Sequence, residues 1–221
     1  EVSEVIFTRL PVTMTLGACA LTFALTLSIP LGVVAAMRPN TLIDRIALTI
    51  AVIGQALPSF WFALMMIILF GVTLRWLPIT GSDSWMNFIM PSVALGYYIT
   101  PAVMRLTRAG MLEVLSSDYI RTARAKGLRP SVVLFKHALR NAIIPVVSLA
   151  AVQFGFMLGG SIVIETIFAI NGLGQLAWES ILRADLPMMQ AIVLVLSCFY
   201  IVLTFLADLL NAFLDPRIRV S

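Results

Sequence analysis

The sequence predicts an all-α, polytopic membrane protein, and three observations carry that prediction. Sixty per cent of the 221 residues are hydrophobic and only twelve per cent charged, against roughly 25% charged in an ordinary globular domain. Five runs of more than twenty residues carry no charge at all: 11–37, 46–74, 84–104, 141–164 and 186–207. Charge is instead gathered in one place, since six of the fifteen Lys and Arg residues lie between Arg121 and Arg140, with the single histidine, His137. A net charge of +4 distributed in this way points to a membrane and not to nucleic acid. Cys19 and Cys198 both fall inside apolar runs and read as small buried hydrophobes.

In chain order, residues 1–9 form a short polar lead, expected outside the cell. The first span, 11–37, is about 40 Å long as a helix, enough to cross a bilayer with tilt. Arg38-Pro39-Asn40 ends it. The second span, 46–74, contains Gly54 and Pro58, which predicts a kink at residues 56–58, because proline removes a backbone donor and clashes with the preceding turn. Residues 75–83 form an interfacial turn. The third span, 84–104, has Pro91 opening its helix and Pro101 bending its far end.

Residues 116–145, SSDYIRTARAKGLRPSVVLFKHALRNAIIP, cannot be embedded, since each cation at the bilayer centre costs about 2.5–3.5 kcal/mol. They read as two short helices joined by a corner. Ser116 or Ser117 caps the first helix, with Asp118 in its first turn. Gly127 supplies a left-handed residue after Lys126, and Pro130 opens the second helix. A fourth span of 141–168, a turn at 171–174, a polar helix at 178–185 and a fifth span of 186–207 complete the pattern.

The segments after spans one, three and five hold twelve of the fifteen cations. The excess of cations on the cytoplasmic side of membrane proteins therefore places the basic loop and the C-terminus in the cytoplasm and the N-terminus outside. An odd number of spans with an outside N-terminus and no signal peptide leads us to expect a further span upstream, six in the full chain.

The loop carries a resemblance. DYIRTARAKG followed by HALRNAIIPVV resembles the EAA-type cytoplasmic loop of bacterial ABC importer permeases, in the form of the dipeptide, oligopeptide and nickel branch and of its B-type subunit. RLPVT (9–13), LPSFW (57–61), RLTRAGMLEVL (105–115), VIETIF (163–168), NGLG (171–174) and DPR (215–217) resemble the same branch in order. Arg121 and Thr122 stand where the general loop pattern has Glu and Ala, while Ala123 and Gly127 match it. Arg140 stands where the general pattern has proline. Both departures are typical of the peptide branch.

The resemblance implies a type I permease domain over residues 10–214, a coupling loop over 110–140 and a cytoplasmic tail over 215–221. It implies a docking surface for a cytoplasmic ATPase made of Asp118, Tyr119, Arg121, Thr122, Ala123, Arg124, Lys126 and Gly127, with Ala123 small enough for close approach. The implied partners are a second, related permease subunit, ATPase subunits, an extracytoplasmic substrate-binding protein and membrane lipid. The implied cargo is di- or oligopeptide, with nickel, glutathione or a sugar as alternatives. No enzymatic activity, cofactor, metal or nucleic acid is expected of this subunit.

What the sequence lacks supports this reading. It has no G-x-x-x-x-G-K-[ST], so a phosphate-cradling loop is absent and the energy must come from a partner. An ion-coupled secondary transporter needs ionisable groups deep in the membrane. Only Glu165 and Asp208 come near, both towards the ends of their spans, where helix capping or snorkelling accounts for them. An intramembrane Ser–His hydrolase is excluded because His137 lies in the loop.

Two weaker patterns remain. Ala151, Gly155 and Gly159, four residues apart, form a small-residue strip for helix packing, either within the subunit or across a permease pair. Gln55, Ser59, Tyr97, Tyr98 and Gln153 are candidates for lining a translocation path, with ordinary interhelical hydrogen bonds as the alternative.

Overall fold

A computed structural model describes residues 2–214, and among these every regular element is helical. The first helix, α1, spans Val2–Met37, so the polar lead is not a separate segment but the first turns of the helix. At about 1.5 Å per residue it is some 54 Å long. It is the spine of the molecule, with α5 (Thr100–Leu115), α4 (Ile89–Gly96), α9 (Ile144–Ile167), α10 (Leu173–Leu182) and α2 (Leu42–Ala56) all packed on it.

Its packing face is visible in the sequence. Ala20, Ala24, Ser28, Gly32 and Ala36 recur every four residues, and all five are buried. Such a strip lets other backbones approach closely. An added Cβ at Gly32 would lie 2.7 Å from Thr107 Cβ of α5 (Thr100–Leu115). At Gly96 of α4 (Ile89–Gly96) it would lie 2.4 Å from the Ala20 carbonyl oxygen.

Spans one, four and five are single helices long and apolar enough to cross a membrane: α1, α9 (Ile144–Ile167) and α11 (Leu186–Leu214). Spans two and three are each broken into two helices. α2 (Leu42–Ala56) stops at Leu57-Pro58, and α3 (Ser59–Met66) resumes and widens into a π-helical turn over Ile67–Thr73. The kink expected at residues 56–58 is thus a full interruption. The third span enters by a 3₁₀ turn, Trp85–Phe88, runs as α4, and breaks over Tyr97, Tyr98 and Ile99 before α5. Pro101 sits in the first turn of α5. Its ring would clash with the carbonyl four residues earlier, on Tyr97, which moves the expected bend upstream into a gap.

Beyond α5 lie α6 (Asp118–Ala125), α7 (Pro130–Val132), a π-helical turn over Val133–Leu139 and α8 (Arg140–Ala142). α10 spans Leu173–Leu182, starting earlier than the polar helix expected at 178–185 because Gly172 is its N-cap and the NGLG turn supplies its first residues.

The outward faces of the long apolar helices are largely apolar, as on α11, where Val193, Leu194, Ile201 and Phe205 are exposed. Cys19 and Cys198 are exposed on such faces. Each is small and apolar enough for a lipid-facing position, so burial is not required of either. The DPR motif at 215–217 lies outside the described residues.

Candidate functional site

The basic loop is built as a folded corner. Ile120 and Ala123 of α6 are buried with Val33 and Ala36 of α1, Met111 of α5, Val133 and Ala138 of the π turn, and Ala142 of α8. Gly110 meets Ala142 so closely that an added Cβ would lie 2.9 Å from the Ala142 carbonyl oxygen. Lys126 ends α6, and Gly127 follows at φ +75° with nothing within 4 Å of where a Cβ would stand. Glycine is required there by backbone conformation alone, not by space. Pro130 occupies the first turn of α7 as expected.

Two expectations need correction. Ser117 holds the N-cap position of α6 but its hydroxyl donates backwards to the Val114 carbonyl at 2.6 Å, and Ser116 donates to Glu113, so neither hydroxyl caps α6. Ala123 approaches its own core closely and is not displayed on the outer surface. The outward side consists of Asp118, Tyr119, Arg121, Thr122, Arg124, Lys126 and Gly127, all exposed. Tyr119 is fixed by a bond from Asn141 Nδ2 to its hydroxyl at 2.9 Å. The Asp118–Arg121 pair, at 3.5 Å and almost fully solvated, adds little stability.

Behind the corner stands a pair the sequence did not announce. Arg108 of α5 donates from Nε and a terminal nitrogen to both oxygens of Asp44 at the start of α2, each at 2.6 Å. The backbone N–H of Asn40, left-handed at φ 62°, donates to the same carboxylate at 2.9 Å. The Arg108 guanidinium holds the Asp44 carboxyl below its usual range, with the Asn40 bond acting in the same direction. In the sequence the two residues, 64 positions apart, register only as cytoplasmic-side charges.

Arg108 itself covers Asp44, so Arg108→Ala lets water reach the carboxylate, and the expected loss is that of charged hydrogen bonds, about 1.5–3 kcal/mol. Because the native carboxyl titrates low, this stability is present above the ordinary Asp range and vanishes as pH falls through the depressed native value. Thermal unfolding of detergent-purified protein should therefore show a gap between wild type and Arg108→Ala at neutral pH that closes in acid. A gap independent of pH would refute the role of the pair.

Four of the five path candidates come together. Gln55 and Ser59 flank the break in span two, Tyr98 lies in the break in span three, and Gln153 lies on α9. All four line one cleft of about 590 Å³. The fifth, Tyr97, is buried beside the cleft and donates its hydroxyl to the Leu57 carbonyl at 2.5 Å.

Within the subunit, the small-residue strip of α9 is divided. A Cβ on Gly155 would lie 2.7 Å from the Tyr200 ring of α11, a packing contact within the subunit, whereas Gly159 has nothing within 4 Å and is exposed. Ala151 is only partly buried.

At the opposite end of the molecule, Glu165 of α9 is fully buried. Its Oε1 accepts from the Thr13 hydroxyl at 2.8 Å and its Oε2 from the Gln175 N–H in the first turn of α10 at 3.1 Å. Thr13 Oγ1 in turn accepts from the Leu173 N–H at 2.8 Å. The carboxylate thus caps a neighbouring helix, the role that its place near a span end suggested.

Comparison with known proteins fits this geometry. The family model described as binding-protein-dependent transport system inner membrane component matches residues 28–220. The glutathione transport system permease protein GsiC of Pectobacterium atrosepticum is 43% identical over 218 residues, 99% of this chain and 71% of that protein. The protein of the same name from Escherichia coli K12 is 42% identical with the same coverage. Among solved structures, the MetNI methionine ABC transporter in an inward-facing conformation is similar with a TM-score of 0.79 at 18% identity, covering 96% of this chain and 97% of that one. An amino acid ABC transporter has a TM-score of 0.66 at 18% identity, covering 97% and 94%. Likeness at that identity concerns the fold alone.

Proposed function

The chain belongs to the family of binding-protein-dependent transport system inner membrane components and is a permease subunit of an ABC importer, and from that premise we propose that it forms part of a peptide translocation path coupled to a separate ATPase. The observation that carries the proposal is the corner at Gly127. One side of α6 is locked into the subunit's core by Ile120 and Ala123, while Arg121, Thr122, Arg124 and Lys126 face outward. A rigid element with a free cationic surface can pass a push from a docked partner into α1 and α5. The ATPase supplies the hydrolysis, docking from the cytoplasm, where the distribution of cations puts the corner. A second permease subunit completes the path, and an extracytoplasmic binding protein delivers the cargo.

The cleft at the two helix breaks is our candidate for this subunit's share of the path. It offers amide and hydroxyl groups, from Gln55, Ser59, Tyr98 and Gln153, and no carboxylate, imidazole or thiol. Such a set suits the neutral hydrogen bonds of a peptide backbone better than a bare divalent cation, which favours carboxylate, imidazole or thiolate ligands. The relatives named as glutathione permeases support a short peptide of that kind as cargo.

The test is uptake of labelled glutathione and tri-alanine by cells carrying the complete transporter, together with recovery of the ATPase on the purified permease. Gly127→Val should cost about 1–2 kcal/mol in backbone conformation alone, leaving the spans inserted but the corner misshapen, with ATPase recovery and uptake both reduced. Arg124→Glu should reduce recovery by charge reversal with the corner intact. Normal uptake and ATPase recovery in both variants would refute the coupling role.

A further inference from the structure

Tyr97 ties the two helix breaks together. In span two, α3 begins its backbone ladder with the Phe62 N–H donating to the Pro58 carbonyl at 3.0 Å, which leaves Leu57 outside the helix. A carbonyl in that position needs a partner when it is removed from water. Tyr97, in the break of span three, provides it with its hydroxyl at 2.5 Å. The same ring packs against Phe62, one turn into α3, with centroids 4.4 Å apart. Each break would be a hinge on its own, because neither Leu57-Pro58 nor residues 97–99 have α-helical continuity. One hydroxyl therefore holds two hinges at a fixed mutual angle, and both hinges are walls of the cleft, with Gln55 and Ser59 on one and Tyr98 on the other.

We propose that Tyr97 is a positioning residue for the cleft: by holding the Leu57 carbonyl it locks the two helix breaks together and sets how far the wall bearing Gln55 and Ser59 stands from Gln153 on α9. This rests on the reading of the cleft as part of the path. Tyr97 sets the geometry of the walls that a cargo would touch, and releasing its hydroxyl lets the second span pivot at Pro58. Helices interrupted in this way are used by transporters where backbone lines a polar cavity.

The test needs no knowledge of the cargo. In the complete transporter, assembled with its ATPase in membrane vesicles, Cys19→Ser and Cys198→Ser remove the native thiols and Ser59→Cys places one on the cleft wall. A charged, membrane-impermeant maleimide then reports cleft opening as a labelling rate, measured with and without ATP. Val103→Cys, at a fully buried position on α5, reports general loosening. Tyr97→Phe keeps the ring contact with Phe62 and removes only the hydroxyl. It should raise the ATP-free labelling rate at position 59 about fivefold, the factor that one net hydrogen bond is worth, and leave position 103 unlabelled. An unchanged rate in Tyr97→Phe, with labelling of the parent still sensitive to ATP, overturns the role of Tyr97 and leaves the path reading standing. Labelling of the parent at position 59 that ignores ATP overturns the path reading, and the proposal with it. A rise at position 103 equal to that at 59 means the hydroxyl only supports folding, and an effect seen in Tyr97→Leu but not in Tyr97→Phe assigns the role to the ring. Either result overturns the proposal.

Discussion

The substitution Gly96→Val is expected to prevent recovery of folded protein from detergent-solubilised membranes. The first added carbon would lie 2.4 Å from the Ala20 carbonyl oxygen and 3.2 Å from its carbonyl carbon. Both atoms belong to the backbone of the central helix, so no rotamer change relieves the overlap. Separating α1 from α4 also loosens the buried layer of Leu16, Met90, Ala94 and Ile164. Overpacking costs about 1–3 kcal/mol where side chains can yield, and a backbone obstacle places this case at or above the top of that range. Gly155→Leu should be milder, since its obstacle is the ring of Tyr200, which can rotate away. Gly159→Leu should leave the isolated subunit unaffected, because nothing lies within 4 Å of the new carbon. The check is the midpoint of thermal unfolding and the monodisperse yield of the three variants. Equal yields for Gly96→Val and Gly159→Leu would remove the close α1–α4 crossing from the account of the fold.

That series also marks where the sequence could be read and where it could not. Helical class and the positions of the five apolar runs followed from hydropathy, because uncharged runs of more than twenty residues are long enough to cross lipid as helices, which satisfy every backbone group within one segment. The Gly127 corner followed from local rules, as the left-handed residue and Pro130 depend only on their neighbours. Helix packing did not follow from the strip on α9. Four-residue spacing identifies a face that permits close approach but says nothing about which helix arrives there. The more extensive strip on α1, from Ala20 to Ala36, has the same spacing and was the stronger signal, and it lies on the helix against which α2, α4, α5, α9 and α10 pack. Asp44–Arg108 and Tyr97–Leu57 join residues 64 and 40 positions apart. Only the folded chain brings such pairs together: in sequence Asp44 and Arg108 are cytoplasmic-side charges, and Tyr97 is one of several polar candidates with nothing to single out the Leu57 carbonyl as its partner.

The largest loss at a polar site is expected from Glu165→Ala. RLPVT, VIETIF and NGLG are separate stretches in sequence, yet they meet here: Thr13 comes from the first, Glu165 from the second and the start of α10 from the third. An added carbon on Gly172 would stand 2.3 Å from Glu165 Oε2, and one on Gly174 would stand 2.7 Å from the Ile162 Cα and 2.9 Å from the same carboxylate oxygen. Removing the carboxylate leaves the Gln175 N–H and the Thr13 hydroxyl without their acceptor in a site closed to water, and each orphaned group costs about 1–3 kcal/mol. Glu165→Ala should therefore lose about 2–6 kcal/mol and release the first turn of α10 from α1 and α9. Glu165→Gln keeps one carbonyl acceptor and nearly the same volume, so it should lose less than half as much. Thr13→Val removes the hydroxyl that links the carboxylate to the Leu173 N–H and should fall between the two. Gly172→Ala should resemble Glu165→Ala although it deletes no polar group, because its new carbon displaces the same carboxylate. Hydrogen exchange at the amides of Leu173 and Gln175, read beside the unfolding midpoint, separates this local release from global unfolding. If both amides stay protected in Glu165→Ala, the carboxylate is not the cap of α10.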